Sequence, residues 1–301
     1  MEWRRWLRAL AGGDRLVRRT RPIPLRLEAL EDRCLLAAWA PQVSGTGLDL
    51  LGVWGSGPND VFAVGVGGLI EHSPNDGASW QTQNSGTTQF LEGVWGSGPN
   101  DVFAVGSSGV ILHSTNDGAS WQAQTSGTTQ FLTGVWGSGP NDVFAVGASG
   151  VIQHSTNDGA SWQAQNSGTA QVLFSVWGSG PNDVFAVGDA GVIQHSTNDG
   201  ASWQAQNSGT TQSLRGVWGS GPNDVFAVGG SGVIQHSTND GTSWQAQNSG
   251  TTQDLDGVWG SGPQRRLRRG QQRRDPAFDQ RRRQLAGPEL GDREYPQWRV
   301  G

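Results

Sequence analysis

GVWGSGPNDVFAVGSSGVILHSTNDGASWQAQTSGTTQFLT, residues 93–133, decides the fold, because the chain repeats it nearly letter for letter on both sides. One tryptophan series falls at Trp54, Trp95, Trp136, Trp177, Trp218 and Trp259. A second falls at Trp39, Trp80, Trp121, Trp162, Trp203 and Trp244, and every interval is 41 residues. A fixed period of this size marks a chain built by stacking one supersecondary unit on the next. Four short β segments are legible within the unit. Residues 93–96 run up to a Gly-Pro-Asn-Asp turn, and residues 102–105 (VFAV) are apolar throughout, as expected of a strand covered on both faces. Residues 110–113 end at Asn116-Asp117-Gly118, and residues 121–124 alternate Trp and Ala with Gln. No stretch has a helical period. Four strands in ~40–45 residues predict an all-β chain, a β-propeller of four-stranded blades with five complete blades and a partial sixth. A β-solenoid is the competing reading, but its coils are usually shorter and lack tight hairpins. Residues 39–46 match a fourth strand with no blade before it, an arrangement that lets a propeller ring close by pairing its ends.

The 301 residues carry a net charge of −5, averaged over three unlike segments. Residues 1–38 hold nine Arg against five acids, residues 39–263 hold Arg215 alone against sixteen acids, and residues 264–301 hold eleven Arg against five acids. Lys is absent. An acidic middle argues against nucleic acid as a partner. The single cysteine, Cys34, excludes a disulfide scaffold and a cysteine zinc cluster. No run of ~18 apolar residues is present, so no transmembrane helix is expected. Glycine abundance could suggest disorder, but fifteen Trp argue for a packed structure. The predicted domains are an Arg-rich N-terminal export or sorting segment (1–38), the propeller (39–263) and a basic tail (264–301).

The stretch SxNDGxSW at 73–80, 114–121, 155–162, 196–203 and 237–244 resembles the Asp-box, or bacterial neuraminidase repeat, S-x-D-x-G-x-[ST]-W. Every copy places Asn at the family's Asp position and Asp one residue later. The GVWGSGPNDVFAVG half is similar to repeats of secreted bacterial propellers of the photosystem II assembly-factor type. The resemblance implies a folding device: polar side chains (Asp76, Asp117, Asp158, Asp199, Asp240) hold the turn between third and fourth strands. The following Trp80, Trp121, Trp162, Trp203 and Trp244 then pack between blades. At the N-terminus, LRLEALEDRCLLA (25–37) resembles the L-E-x-R-x-L-L sorting segment of exported bacterial proteins, which implies a secreted or cell-envelope location.

The basic tail reads as the repeat in the wrong frame. NDVFAVG written as AAC GAC GTC TTC GCC GTG GGC, read one base early after a C, becomes QRRLRRG, the sequence at 264–270. Continuing in that frame, SSGVIQHSTNDGASWQAQNSG yields the observed 271–291. The expectation is one extra nucleotide near codon 263, which resequencing tests, and a tail too rich in Arg to pack.

Chemistry is sparse. His72, His113, His154, His195 and His236 occur once per blade and are expected to satisfy local backbone groups, so no metal ligand and no cofactor is assigned. Asp60, Asp101, Asp142, Asp183 and Asp224 read as turn residues. A sialidase would need an arginine cluster, a Tyr nucleophile and a partnering Glu, and the repeats offer only Arg215, no Tyr, and Glu71 and Glu92. No catalytic residue is assigned. The copies differ at two positions flanking an unvaried Leu: Phe90/Glu92, Phe131/Thr133, Val172/Phe174, Ser213/Arg215 and Asp254/Asp256. They differ again after the second strand, at 66–67, 107–108, 148–149, 189–190 and 230–231. In an up-and-down blade both spots emerge on one face, a pattern suited to recognition. The resulting reading is a non-catalytic interaction scaffold for a protein or glycan, monomeric unless open propeller edges self-associate. The alternatives are a degenerate Asp-box glycoside hydrolase and a non-functional frame-broken copy.

Overall fold

The computed structural model describes residues 42–260, so the sorting segment and the basic tail lie outside the described residues. Five four-stranded sheets are formed, each antiparallel with its strands in chain order. Blade one comprises Leu50–Gly57 (β1), Asp60–Gly65 (β2), Ile70–Ser73 (β3) and Gln81–Gln83 (β4). Blade two comprises Leu91–Gly98 (β5), Asp101–Gly106 (β6), Ile111–Ser114 (β7) and Gln122–Gln124 (β8). Blades three to five repeat this pattern, with first strands Leu132–Gly139 (β9), Leu173–Gly180 (β13) and Leu214–Gly221 (β17). The architecture is the all-β propeller expected from the 41-residue period.

The first strand is longer than its sequence suggests. β5 starts at Leu91 and runs to Gly98 through register shifts between Leu91 and Gly93 and between Gly96 and Gly98. Such bulges disguise the period-2 pattern from which strands are read. The fourth strand is shorter, since Trp121 precedes it. Between β6 and β7 a 3₁₀ turn, Ser107–Gly109, puts Ser108 at φ 57°.

Pairing places Trp95, Phe103, His113 and Gln122 in one row across blade two, and Val94, Ala104, Leu112 and Ala123 in the adjacent row. Neighbouring rows face opposite sides of a sheet, so each blade has an aromatic side and an aliphatic side. The core lies where these meet. Phe62, Val64 and Ile70 of blade one interlock with Leu91, Val94, Val102, Ala104 and Leu112 of blade two, and the junctions that follow are built the same way. No blade has a core of its own, which is why the unit must be repeated. The inner strands β1, β5, β9, β13 and β17 lie side by side in sequence. Each inner-strand Trp covers a glycine of the next blade. A Cβ at Gly137 would lie 2.6 Å from the Trp95 ring and 2.5 Å from the Asp142 carbonyl oxygen.

The two ends of the stack differ from its middle. Val53 on β1 is 71% exposed, whereas its equivalent Val94 is 8% exposed, because no described blade precedes the first. At the other end Leu255 is buried and its N–H donates to Gly229 O at 3.0 Å, and Trp218 covers Gly260. The expected spare first strand is reduced to an isolated bridge at Trp259, which is 65% exposed. Of the expected spare fourth strand, residues 39–41 lie outside the described residues and residues 42–46 form no strand. Among the described residues no helix is long and apolar enough to cross a membrane.

Candidate functional site

The two variable spots of each blade meet through the backbone. The N–H of Ser107 donates to Phe90 O (2.9 Å), Ala148 to Phe131 O (2.8 Å), Asp189 to Val172 O (2.8 Å) and Gly230 to Ser213 O (2.9 Å). The unvaried Leu91, Leu132, Leu173 and Leu214 are fully buried and anchor the strand, so the residues on either side project away from that core. Phe90 is 48% exposed. Phe131, Val172, Ser213 and Phe174 are half-buried. Thr133 Oγ1 donates to Leu173 O of the next blade at 2.5 Å, and burial pushes the Glu92 carboxyl above its ordinary value.

Charge gathers at the fifth blade. Arg215 reaches Asp254 (2.9 Å) and Asp256 (2.6 Å). The Ser231 N–H, then Arg215, hold the Asp254 carboxyl below the ordinary range, while Asp256 is the largest of the influences that raise the Arg215 guanidinium. Ser213 Oγ donates to Asp189 Oδ1 at 2.5 Å, which joins variable spots of neighbouring blades four and five. A cleft of about 890 Å³, lined in part by Ser85, Ser108, Thr125 and Trp121, opens between blades one and two.

The turn between third and fourth strands corrects one sequence assignment. Asn, not Asp, holds it. Asn116 Oδ1 accepts from the Ser120 N–H (2.9 Å) and the Ser114 hydroxyl (3.1 Å), and Ser114 Oγ accepts from the Gly118 N–H (2.9 Å). Asn75, Asn157, Asn198 and Asn239 act alike. Asp76, Asp117, Asp158, Asp199 and Asp240 instead occupy the left-handed region at φ 55–56°, which Asp tolerates better than most residues. Trp162, Trp203 and Trp244 are buried and meet the Phe of the preceding blade edge-on, with centroids 6.0–6.1 Å apart. Trp80 and Trp121 are only half-buried. Trp80 has no preceding described blade, and Trp121 borders the cleft.

The histidines are corrected too. Each lies within the third strand, stacked on its own blade's Phe with centroids 3.9–4.2 Å apart. Each Nε2 meets a carboxylate rather than a backbone group: His72–Asp60 3.0 Å, His113–Asp101 2.7 Å, and His154–Asp142, His195–Asp183 and His236–Asp224 2.8 Å each. The Asp of the Pro-Asn-Asp turn therefore opens the second strand and pairs across it. Burial works to raise the Asp101 carboxyl, but hydrogen bonds from His113 and Ser97 outweigh it and hold the group below the ordinary range. Asp158, reaching in from blade three, is held above that range by burial, which His113 offsets in part and the facing Asp101 reinforces. Sequence spacing gave no signal for this meeting, because its members are 12 and 45 residues apart and belong to two blades.

No protein-family model and no curated protein matches the sequence. Among solved structures the chain is similar to an ancestral GH74 enzyme (TM-score 0.57, 21% identity, 69% of this chain and 32% of that one). It is also similar to the RRP9 WD40 repeats (TM-score 0.58, 9% identity, 71% of this chain and 64% of that one). YCF48 from Cyanidioschyzon merolae aligns at a TM-score of 0.45 with 16% identity, over 73% of this chain and 91% of that one. At these identities the two likenesses above 0.5 speak to the propeller fold alone.

Proposed function

We propose that the chain is a non-catalytic binding propeller, exported to the cell envelope or beyond, that engages a protein or glycan through the face carrying Phe90, Phe131, Val172, Phe174 and Arg215. The observation that carries this reading is the backbone pairing of the two variable spots in blades two to five, which gathers the chain's sequence diversity onto one edge of an otherwise constant scaffold. Partly exposed Phe side chains beside an Arg flanked by acids offer the aromatic and charged contacts from which binding hot spots are usually built. The SxNDGxSW turn serves as an Asp-box variant with a folding role. Asp254 and Asp256, the acids nearest to a catalytic pair on this face, are both bound by Arg215, an arrangement that suits recognition better than proton transfer.

Binding of the purified chain to glycan and peptide arrays tests the proposal, alongside a Phe131→Ala/Phe174→Ala/Arg215→Ala variant checked for retained far-ultraviolet circular dichroism. The expected result is saturable binding by the parent and its loss in the variant. Turnover of chromogenic glycosides that Asp254→Asn or Asp256→Asn abolishes would replace this reading with a hydrolase.

A further inference from the structure

At each junction between successive blades, the edge opposite the variable loops brings together three side chains of metal-binding type. Asp101 and His113 come from blade two and Asp158 from blade three, and Asp60–His72–Asp117, Asp142–His154–Asp199 and Asp183–His195–Asp240 repeat the arrangement. Within each cluster one ligand atom per residue lies within 4.8 Å of the others. His113 is 5% exposed and its Nε2 stands 2.7 Å from Asp101 Oδ1 and 3.6 Å from Asp158 Oδ1. Nε2 can offer at most one N–H, and the Asp at 2.7 Å is the nearer acceptor for it. Oδ1 of Asp158, Asp199 and Asp240 is thus buried with no hydrogen-bond partner and faces another carboxylate. Buried polar atoms in native structures nearly always have partners, and an orphaned one calls for a physical explanation, of which a bound ion is one. Two carboxylates converge on one imidazole at each of these junctions, a concentration of negative charge that a bound cation would balance.

We propose that the four inter-blade His–Asp–Asp clusters each bind a divalent transition-metal cation of the zinc type, cross-linking one blade to the next. The His–Asp separations of 2.7–3.0 Å and 3.6–3.7 Å straddle the ~3.3 Å edge of a tetrahedron with ~2.0 Å metal–ligand bonds. Imidazole with carboxylate suits zinc, whereas calcium takes six to eight oxygens and would find too few here. The more exposed Asp, 44–50% accessible at its side chain, opens the fourth position to water. His236–Asp224 is a built-in control, because no third ligand reaches it among the described residues.

Titration of the chelator-stripped full chain with zinc by calorimetry, in a Cys34→Ser background that removes the only thiol, tests this. Uptake of about four equivalents is expected, with a rise in melting temperature of at least ~5 °C. A variant carrying Asp117→Asn, Asp158→Asn, Asp199→Asn and Asp240→Asn is expected to lose both, and His236→Gln to lose neither. If the fourfold variant does not fold, His113→Gln alone should lower uptake by one equivalent. Cobalt(II) in place of zinc should give the strong visible absorption of a four-coordinate site. No saturable uptake, or uptake unchanged in the Asp→Asn or His113→Gln variant, overturns the proposal.

Discussion

Gly137 and Trp162 show how one residue serves two blades. Trp162 is buried and presents its edge to Phe103 of the preceding blade, so Trp162→Ala opens a cavity at a junction. Core Phe/Trp→Ala truncations cost ~3–5 kcal/mol, and urea unfolding should show a loss of that size, whereas an unchanged midpoint would contradict the packing. Gly137 is constrained for the opposite reason, since it has no spare volume. Gly137→Ala drives a Cβ into the Trp95 ring and into a carbonyl oxygen, and overpacking of this kind costs ~1–3 kcal/mol. Gly139, two residues on, has nothing within 4 Å of its would-be Cβ. Gly139→Ala is therefore expected to stay within ~0.5 kcal/mol of the parent. Equal effects at the two positions would show that the Trp–Gly contact does not set the spacing of the blades.

At the scale of the element, the turn between third and fourth strands divides two tasks between neighbouring residues. Asn157 closes the turn by accepting from the Ser161 N–H and the Ser155 hydroxyl, which leaves Asp158 free to face His113 of the preceding blade. Asn157→Ala removes the acceptor and should lower stability by ~1 kcal/mol, while Asn157→Asp restores an oxygen in the same place and should recover most of it. Thermal melts of the pair check this, and a full loss in the Asp variant would mean that the amide nitrogen, donating to Ser161 Oγ at 2.9 Å, holds the turn instead. The turn itself was legible in the sequence, because Gly and Asn-Asp announce it. Its division of labour was not, because Asn and Asp are interchangeable on a turn-propensity scale and differ only in what surrounds them.

At the scale of the whole molecule, a stack of blades that share their cores has two ends with no neighbouring blade among the described residues. Val43, Leu48, Leu50, Leu51 and Val53 at one end and Trp259 at the other are large apolar side chains this leaves in water. Sedimentation velocity should detect concentration-dependent association that Val53→Lys with Trp259→Lys reduces, with little change in the melt, since neither side chain is buried. Association unaltered by both substitutions would place the contact elsewhere. Inside the stack, Arg215 is the single trypsin site between residues 39 and 263. It lies in β17, flanked by buried neighbours and bound by two acids, so prolonged digestion should leave a fragment that contains both Trp54 and Trp244. A rapid cut at Arg215 would show that β17 opens locally.

The sequence alone determined the fold class, the blade period and the position of nearly every turn, because a near-identical repeat states its local rules five times over. Gly, Pro-Asn-Asp and the alternation of apolar residues act within a few residues of themselves. It also marked the variable positions, since they are the places where the copies disagree. Tertiary structure decided what those rules could not reach. It set the length of the inner strand, where bulges break the alternation, and the partnership of Trp95 with Gly137 and of Trp162 with Phe103. It also brought His113 and Asp101 together with an Asp from the next blade. Those contacts join residues 12 to 59 positions apart: strand register within a blade brings Asp101 to His113, and the packing of one sheet on the next fixes the others.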